Sequence, residues 1–240
     1  MYLDLSSCDL SSLDAGILAA ELTENATVKN LILARNPIGP AGVEVIAKAC
    51  QGKASLTNLQ LSFTMMGLHG ARALGRTLAM KQTAIHTLKL TDNHIGDGGA
   101  RGLARALRVN TALTSLALDG NHIGPSGAEA IASALAKNST FVLSLSRNEI
   151  GDVGALAFAE VLCGGSAVVT NLDLGDNRIS DVGAKRLAWA VSKLAELHLS
   201  ENPYIGPASG QAFFDGLVMN TTLVILIFKG QMSALTPRRE

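Results

Sequence analysis

Aromatic residues, excess charge and long apolar runs are all scarce in this chain. Aromatic residues make up 4% of it, so interleaved stacking platforms for nucleic acid are not expected. Basic and acidic residues number 20 each, and this balance predicts neither a nucleic acid nor a membrane as partner. No apolar run is long enough to cross a bilayer, and no basic start followed by an apolar stretch marks a secretory signal.

Cysteines are few, odd in number and far apart: Cys8, Cys50 and Cys163. This pattern excludes a disulfide framework and favours a reducing compartment, so we expect a cytoplasmic protein. We interpret Cys50 as a core residue and expect Cys163, at a helix end, to be more exposed. The chain contains no H-E-x-x-H, C-x-x-C or G-x-S-x-G motif, so the sequence predicts a non-enzymatic protein with no catalytic residue and no cofactor.

What the sequence has in abundance is a repeat built on pairs of leucines two residues apart. The spacing between successive pairs is 25 to 29 residues, which gives about eight units and a partial ninth strand at Leu226. The pairs are Leu3/Leu5, Leu31/Leu33, Leu59/Leu61, Leu88/Leu90, Leu116/Leu118, Leu143/Leu145, Leu172/Leu174 and Leu197/Leu199.

Each unit reads roughly L-x-L-x-x-N-x-I-G-x-x-G-A-x-x-L-A-x-A-L, as in the segment NHIGPSGAEAIASAL at 121–135. Over nearly the whole chain this resembles the leucine-rich repeat of the ribonuclease-inhibitor type, found in NOD-like receptors, Ran GTPase-activating proteins and some bacterial effectors. The resemblance implies an α/β solenoid, a horseshoe with parallel strands on the concave face and helices on the convex face. We expect one such domain over residues 1–230 and a C-terminal tail over 231–240.

The physical pattern points the same way. Leucines at alternate positions face one side of a strand, and the later Ala/Leu spacing is helical. Strands stack about 4.8 Å apart and helices about 10 Å apart, so the strands must line the inner wall. The asparagine at the sixth place is expected to bond to backbone groups of neighbouring turns. Cys8 and Thr64 replace it in repeats one and three, with fewer possible bonds.

The glycines and histidines of the segment TDNHIGDGGARGLARAL, at 91–107, raise two chemical alternatives. A phosphate-binding loop needs a Lys followed by Ser or Thr, which is missing, and the same glycines recur in other units. We therefore interpret them as residues that permit the turn into each helix. His94 and His122 should lie one strand spacing apart and could hold a metal with Asp92 or Asp119. No motif fixes a third ligand, so we predict no metal site.

Side chains between and just after the paired leucines are expected on the concave wall, where a partner protein would bind. Phe63 is the aromatic residue among them and a candidate anchor, although isolated exposed apolar residues are also common. The larger side chains at these places are the partner-binding candidates: Arg35, Phe63, Lys89, Asp92, Asp119, Arg147, Asp173, Asp176, His198 and Glu201.

Charge is unevenly distributed along the repeats. Residues 45–91 contain no acidic residue, and Arg101, Arg105 and Arg108 extend this basic region, whereas Asp173, Asp176, Glu196 and Glu201 make the later repeats acidic. This layout could steer a partner or promote head-to-tail contact, or it could simply be a solvated face.

Trp189 and the two ends of the array suggest further surfaces. Trp189 occupies an outward place, where it could mark a second interface or lie flat over the shortened seventh repeat. No polar cap precedes Leu3, and Ile225 and Ile227 make the last strand apolar on both faces, so the ends could associate with other chains.

The leading hypothesis is a non-enzymatic module that binds a partner protein on its concave surface. One alternative is a regulatory, GTPase-activating protein of the Ran type. This rests on repeat type alone, because no functional residue of that family can be carried over. The other alternative is a structural, self-assembling array that uses its uncapped ends.

Overall fold

The computed structural model describes residues 1–80, 83–135, 141–164, 169–218 and 220–228, and its strands form one parallel sheet in chain order. The strands are β1 Tyr2–Asp4, β2 Asn30–Ile32, β3 Asn58–Gln60, β4 Thr87–Lys89, β5 Ser115–Ala117, β6 Phe141–Ser144, β7 Val169–Asp173, β8 Glu196–His198 and β9 Ile225–Ile227. The helices are α1 Ser12–Glu24, α2 Gly39–Ala49, α3 Gly67–Leu78, α4 Gly96–Leu107, α5 Pro125–Leu135, α6 Gly151–Cys163, α7 Asp181–Ala190 and α8 Pro207–Val218. The predicted α/β solenoid is confirmed. The predicted tail, 231–240, lies outside the described residues.

The paired leucines set the register of the sheet. The first leucine of each pair lies opposite the first leucine of the next strand, as in Leu31 against Leu59 and Leu88 against Leu116. From the second repeat onward both leucines are buried against the helix layer, whereas Leu3 and Leu5 of the first repeat are half-buried. Alternation along the strand therefore turns the intervening residues away from the helices.

Buried asparagines join each turn to the next. The Nδ2 group of Asn121 donates to the carbonyls of Leu90 (2.9 Å) and Asp119 (3.2 Å), and its Oδ1 accepts from the N–H groups of Asn93 (2.9 Å) and Ile95 (3.4 Å). We call the full set the asparagine ladder: Asn36, Asn93, Asn121, Asn148, Asn177 and Asn202. These bonds satisfy backbone groups that water cannot reach, as the sequence predicted.

The two substitutions in the ladder make fewer bonds, also as predicted. The Thr64 hydroxyl donates to the Leu61 carbonyl at 2.8 Å and lies 3.0 Å from Asn93 Oδ1. The Cys8 thiol is exposed and contacts the Ser6 carbonyl at 3.5 Å.

Carboxylates at three helix starts make a second set of links between repeats. Asp97, Asp152 and Asp181 each use Oδ1 to accept two backbone N–H groups at the start of the next helix. A helix N-terminus carries unpaired N–H groups and partial positive charge, so a carboxylate there is stabilising. The hydroxyl of Ser209 donates to Asp181 at 2.6 Å, and this bond is the main reason that the pKa of Asp181 is lowered.

The shortened seventh repeat has a structural explanation. Helix α7 stops at Ala190, and a single 3-10 turn at Val191–Lys193 leads to the buried Leu194. Trp189 is 70% exposed, and the Arg186 guanidinium carbon lies 5.7 Å from the centre of its ring. Trp189 therefore projects from the convex side and does not lie flat over this repeat.

Among the described residues, no helix combines the length and apolar character needed to span a bilayer.

Candidate protein-binding face

The concave face exposes two side chains from each strand, one before the first leucine and one between the leucines. The sequence analysis used the second position and, apart from Glu196 and Ile225, missed the first. The same period of two predicts both. The first row is Tyr2, Asn30, Asn58, Thr87, Ser115, Val142, Asn171, Glu196 and Ile225. The second row is Asp4, Ile32, Gln60, Lys89, Ala117, Ser144, Asp173, His198 and Ile227.

Two depressions lie on this face, separated by the small side chains of Ser115 and Ala117. The first, of about 190 Å³, spans β1 to β4 and includes the candidate Lys89 in its lining. The second, of about 200 Å³, spans β6 to β8 and brings together the candidates Asp173 and His198. Three of the ten predicted candidates therefore line a depression, with Lys89 in the first and Asp173 and His198 in the second.

The first depression is lined by neutral polar and apolar groups apart from its lysine. Tyr2 and Lys89 in its lining are exposed, and Asn30, Ile32, Asn58, Gln60 and Thr87 are half-buried. Amides and a lysine together can donate hydrogen bonds to carbonyls or carboxylates of a bound chain.

The second depression is acidic. Asp173 and Glu196 lie on neighbouring strands, and His198 Nδ1 lies 3.9 Å from Asp173 Oδ2. The other Asp173 oxygen, Oδ1, accepts the Gly175 N–H at 2.9 Å, which fixes the carboxylate on the face. This arrangement can bind a basic group, with Val142 supplying an exposed apolar neighbour.

A third row follows the second leucine by two places, where the chain turns out of the strand. Its members all have φ between 51° and 66°, and we call it the left-handed row: Ser7, Arg35, Phe63, Asp92, Gly120, Arg147, Asp176 and Glu201. Six of the ten partner-binding candidates predicted from the sequence belong to the left-handed row. Only glycine adopts this conformation without steric cost, so the surrounding turn must hold the other seven residues in place.

Phe63 and Arg35 are neighbours in the left-handed row. The guanidinium carbon of Arg35 lies 4.6 Å from the centre of the Phe63 ring, within the range of a cation–π contact. Phe63 is 39% exposed, so the ring is partly covered yet accessible, as an anchor would be. Its role in binding stays a prediction.

Arg147 and Asp92 lie two repeats apart yet form a bidentate ion pair. The two N–O distances are 3.2 Å and 2.8 Å, and this hydrogen bonding raises the pKa of Arg147. The pair passes over Gly120, where a Cβ atom would lie 2.1 Å from Asp92 Oδ1. The sequence interpretation treated both residues as separate surface groups. The structure shows that these two residues pair with each other within the protein.

Asp119 is also engaged within the protein. Its Oδ1 accepts the Ser146 N–H at 3.0 Å and the Ser146 hydroxyl at 2.9 Å, and the Ser144 hydroxyl also donates to it. The Thr91 hydroxyl donates to its Oδ2 at 3.3 Å, so its contacts join repeat five to repeats four and six. Binding of a partner by this carboxylate stays a prediction.

The histidines considered as metal ligands stack against each other. The ring centres of His94 and His122 are 5.4 Å apart and nearly parallel, and His122 Nδ1 lies 3.3 Å from Glu149 Oε1. Within the described part of the chain, no group of three or more metal-ligating side chains comes together.

Cys50 is buried, and burial raises the pKa of its thiol to about 12, whereas Cys163 is exposed, as predicted for each.

Comparison with known proteins agrees with this architecture. A family model described as Leucine Rich repeat matches residues 24–47, 82–104, 109–132, 137–159 and 165–188. The ribonuclease inhibitor of Sus scrofa is 30% identical over 109 residues, and that of Mus musculus is 29% identical over 107 residues. Each match covers 44% of this chain and only 23% of the inhibitor, so the chain spans about a quarter of these relatives.

Among solved structures, Leiomodin-1 Actin-Binding Site 2 superposes with a TM-score of 0.45 at 16% identity, over 85% of this chain and 87% of that one. The repeat matches, the inhibitor relatives and the nine-stranded parallel sheet lead to one assignment. The chain is a leucine-rich repeat protein of the ribonuclease-inhibitor type.

Proposed function

We propose that this protein is a non-enzymatic binding module that holds a partner protein on its concave face. The observation that supports it most is the pair of depressions of unlike charge on one continuous sheet. A loose surface would have to be ordered on binding, at a cost in free energy. Here the asparagine ladder and the strand register already fix the backbone.

The chemistry of the two depressions describes the partner. A basic group fits beside Asp173 and Glu196, and an acidic or carbonyl group fits beside Lys89. Phe63 at the edge of the sheet would contact an apolar side chain. Opposite charges along one face favour one orientation of the partner and raise the association rate.

A cytoplasmic location is part of the same proposal. Cys8, Cys50 and Cys163 are all free thiols, as expected for a reducing compartment. The repeat family consists mostly of binding modules, which supports a function without catalysis.

Affinity capture followed by calorimetry on the purified partner tests the proposal. The panel of baits is wild type, Phe63→Ala and the double variant Asp173→Asn/Glu196→Gln. A ribonuclease is included among the purified proteins because the curated relatives are named ribonuclease inhibitors. The double variant is expected to bind about tenfold more weakly, because it removes charge-assisted hydrogen bonds.

The matched control is Glu129→Gln/Glu160→Gln, which removes the same charge from exposed positions on the convex helices α5 and α6. It should bind like wild type. Equal weakening of the control would show that net charge, not the concave face, governs binding. Unchanged affinity in all concave variants would sink the proposal.

A further inference from the structure

A groove of about 220 Å³ lies on the convex side of the protein, between α3 and α4. Glycines make it by bringing the two helices together. A Cβ atom on Gly75 would lie 2.6 Å from the Gly102 carbonyl oxygen, and a Cβ atom on Gly102 would lie 2.9 Å from Arg72 Cγ. With Ala79 and Ala106, these glycines give the groove a floor of small residues.

The rim of the groove is formed by arginines, and few carboxylates lie close enough to neutralise their charge. Arg72, Arg76 and Arg105 line it. The carboxylate of Glu44 reaches the rim, and its Oε1 lies 3.1 Å from Lys48 Nζ and 3.8 Å from Arg76 Nη2. Within the described residues, no acidic side chain forms an ion pair with Arg72 or Arg105.

The acidic residue of α4, Asp97, is already hydrogen-bonded to the next repeat. Asp97 accepts the N–H groups of Gly124 and Gly127 and the hydroxyl of Ser126. Arg101 donates to the same hydroxyl at 3.0 Å, and Arg108 is exposed at the end of α4. The convex side therefore has an excess of positive charge around the groove. In agreement, the bond from Lys48, the charge of Lys48 and then the charge of Arg76 lower the pKa of Glu44.

We propose that this groove binds an acidic peptide segment of a partner protein. Arginine presents a planar fork that pairs with a carboxylate through two hydrogen bonds, so arginines on both helices suit a run of acidic side chains. The small residues of the floor leave room for the main chain of the peptide. The lining runs from Arg72 to Ala79, about 10 Å along the helix axis, which is enough for about three residues of extended chain.

The shape and composition of the groove argue against other polyanions. A flat bilayer would touch a convex surface only along its crest, and membrane-binding helices present a broad apolar face that the lining residues lack. Single-stranded nucleic acid is bound by aromatic side chains among basic ones, and no aromatic residue lines this groove. A peptide is narrow enough to enter between two helices.

Fluorescence anisotropy with a labelled oligoglutamate peptide tests this proposal on the full chain. The test variant is Arg72→Gln/Arg105→Gln. The matched control is Lys185→Gln/Arg186→Gln, which removes the same charge from exposed positions on the convex helix α7. Wild type and control should bind with similar affinity, and the test variant about tenfold more weakly, because the lost hydrogen bonds are charge-assisted.

Several results would overturn the proposal. Wild type could fail to bind the peptide, or the control could lose as much affinity as the test variant. Phosphatidylserine vesicles or duplex DNA could bind through Arg72 and Arg105 while oligoglutamate does not. Circular dichroism of both variants checks that they remain folded. The concave variant Asp173→Asn/Glu196→Gln should keep its affinity for oligoglutamate, so this test and the test of the concave face fail separately.

Discussion

The asparagine ladder and the left-handed row lie one residue apart in every repeat, yet they follow different rules. The ladder place is asparagine in six repeats, and those side chains are buried and bonded to neighbouring turns. The left-handed place has a nearly constant backbone conformation but holds residues as different as Ser7, Phe63, Gly120 and Arg147. The ladder fixes the turn, and this frees the neighbouring side chain to vary. In this protein, residues that repeat serve the fold, and residues that break the repeat are candidates for function.

The largest effect is expected from breaking the ladder at its centre. Asn121→Ala should lower the free energy of unfolding by about 3 kcal/mol, because it leaves buried N–H and carbonyl groups of two turns without partners. Urea denaturation measures this loss. Asn36→Ala is the matched control: Asn36 faces the end turn, where Cys8 is exposed and water can replace the lost bonds. Equal losses would mean that burial does not control the strength of the ladder.

A smaller effect is expected from adding a side chain to the left-handed row at Gly120. Gly120→Ala should cost about 2 kcal/mol, because it combines left-handed strain with displacement of Asp92 from Arg147. Gly151 is the control, since its φ of 59° is similar and its Cβ position is open. Gly151→Ala should cost about 1 kcal/mol, from strain alone. Thermal unfolding of both variants tests whether the difference follows the ion pair, and identical costs would count against it.

The smallest effect should be a gain in stability at the left-handed row. Glu201 has a φ of 57° and an exposed side chain, so Glu201→Gly relieves strain without removing a buried contact. The expected gain is about 0.5 kcal/mol, since the added flexibility of the unfolded chain offsets part of the relief. Glu201→Ala, which keeps a Cβ atom, should show no gain in the same denaturation experiment. A gain with alanine would show that the charge, not the backbone, is unfavourable.

Much of this architecture was predictable because it depends on contacts that recur in each unit. The leucine pairs predicted the strands and their common face, and the ladder asparagines predicted bonds between turns. The first concave row was also within reach, since Asn58 and Asn171 follow the same period of two as the leucines.

The features that escaped prediction depend on residues in different repeats. The carboxylate of Asp97 accepts a backbone N–H group at the start of the next unit's helix, so its role cannot be predicted from the sequence of one unit. The pairing of Arg147 with Asp92 spans 55 positions and depends on a glycine between them. Charge alone indicated a basic region but not the groove, which exists because Gly75 and Gly102 bring α3 and α4 together.

The unbroken strand register also sets a length. Lys89 lies on β4 and Asp173 on β7, so three strand intervals, about 14 Å at the backbone, separate the cation of the first depression from the anion of the second. No single side chain can bridge that distance. A helix that satisfied both would carry its acidic and basic residues about nine positions apart. If the concave face binds a partner as proposed, the sheet would select that partner by the spacing of its charges as well as by their sign.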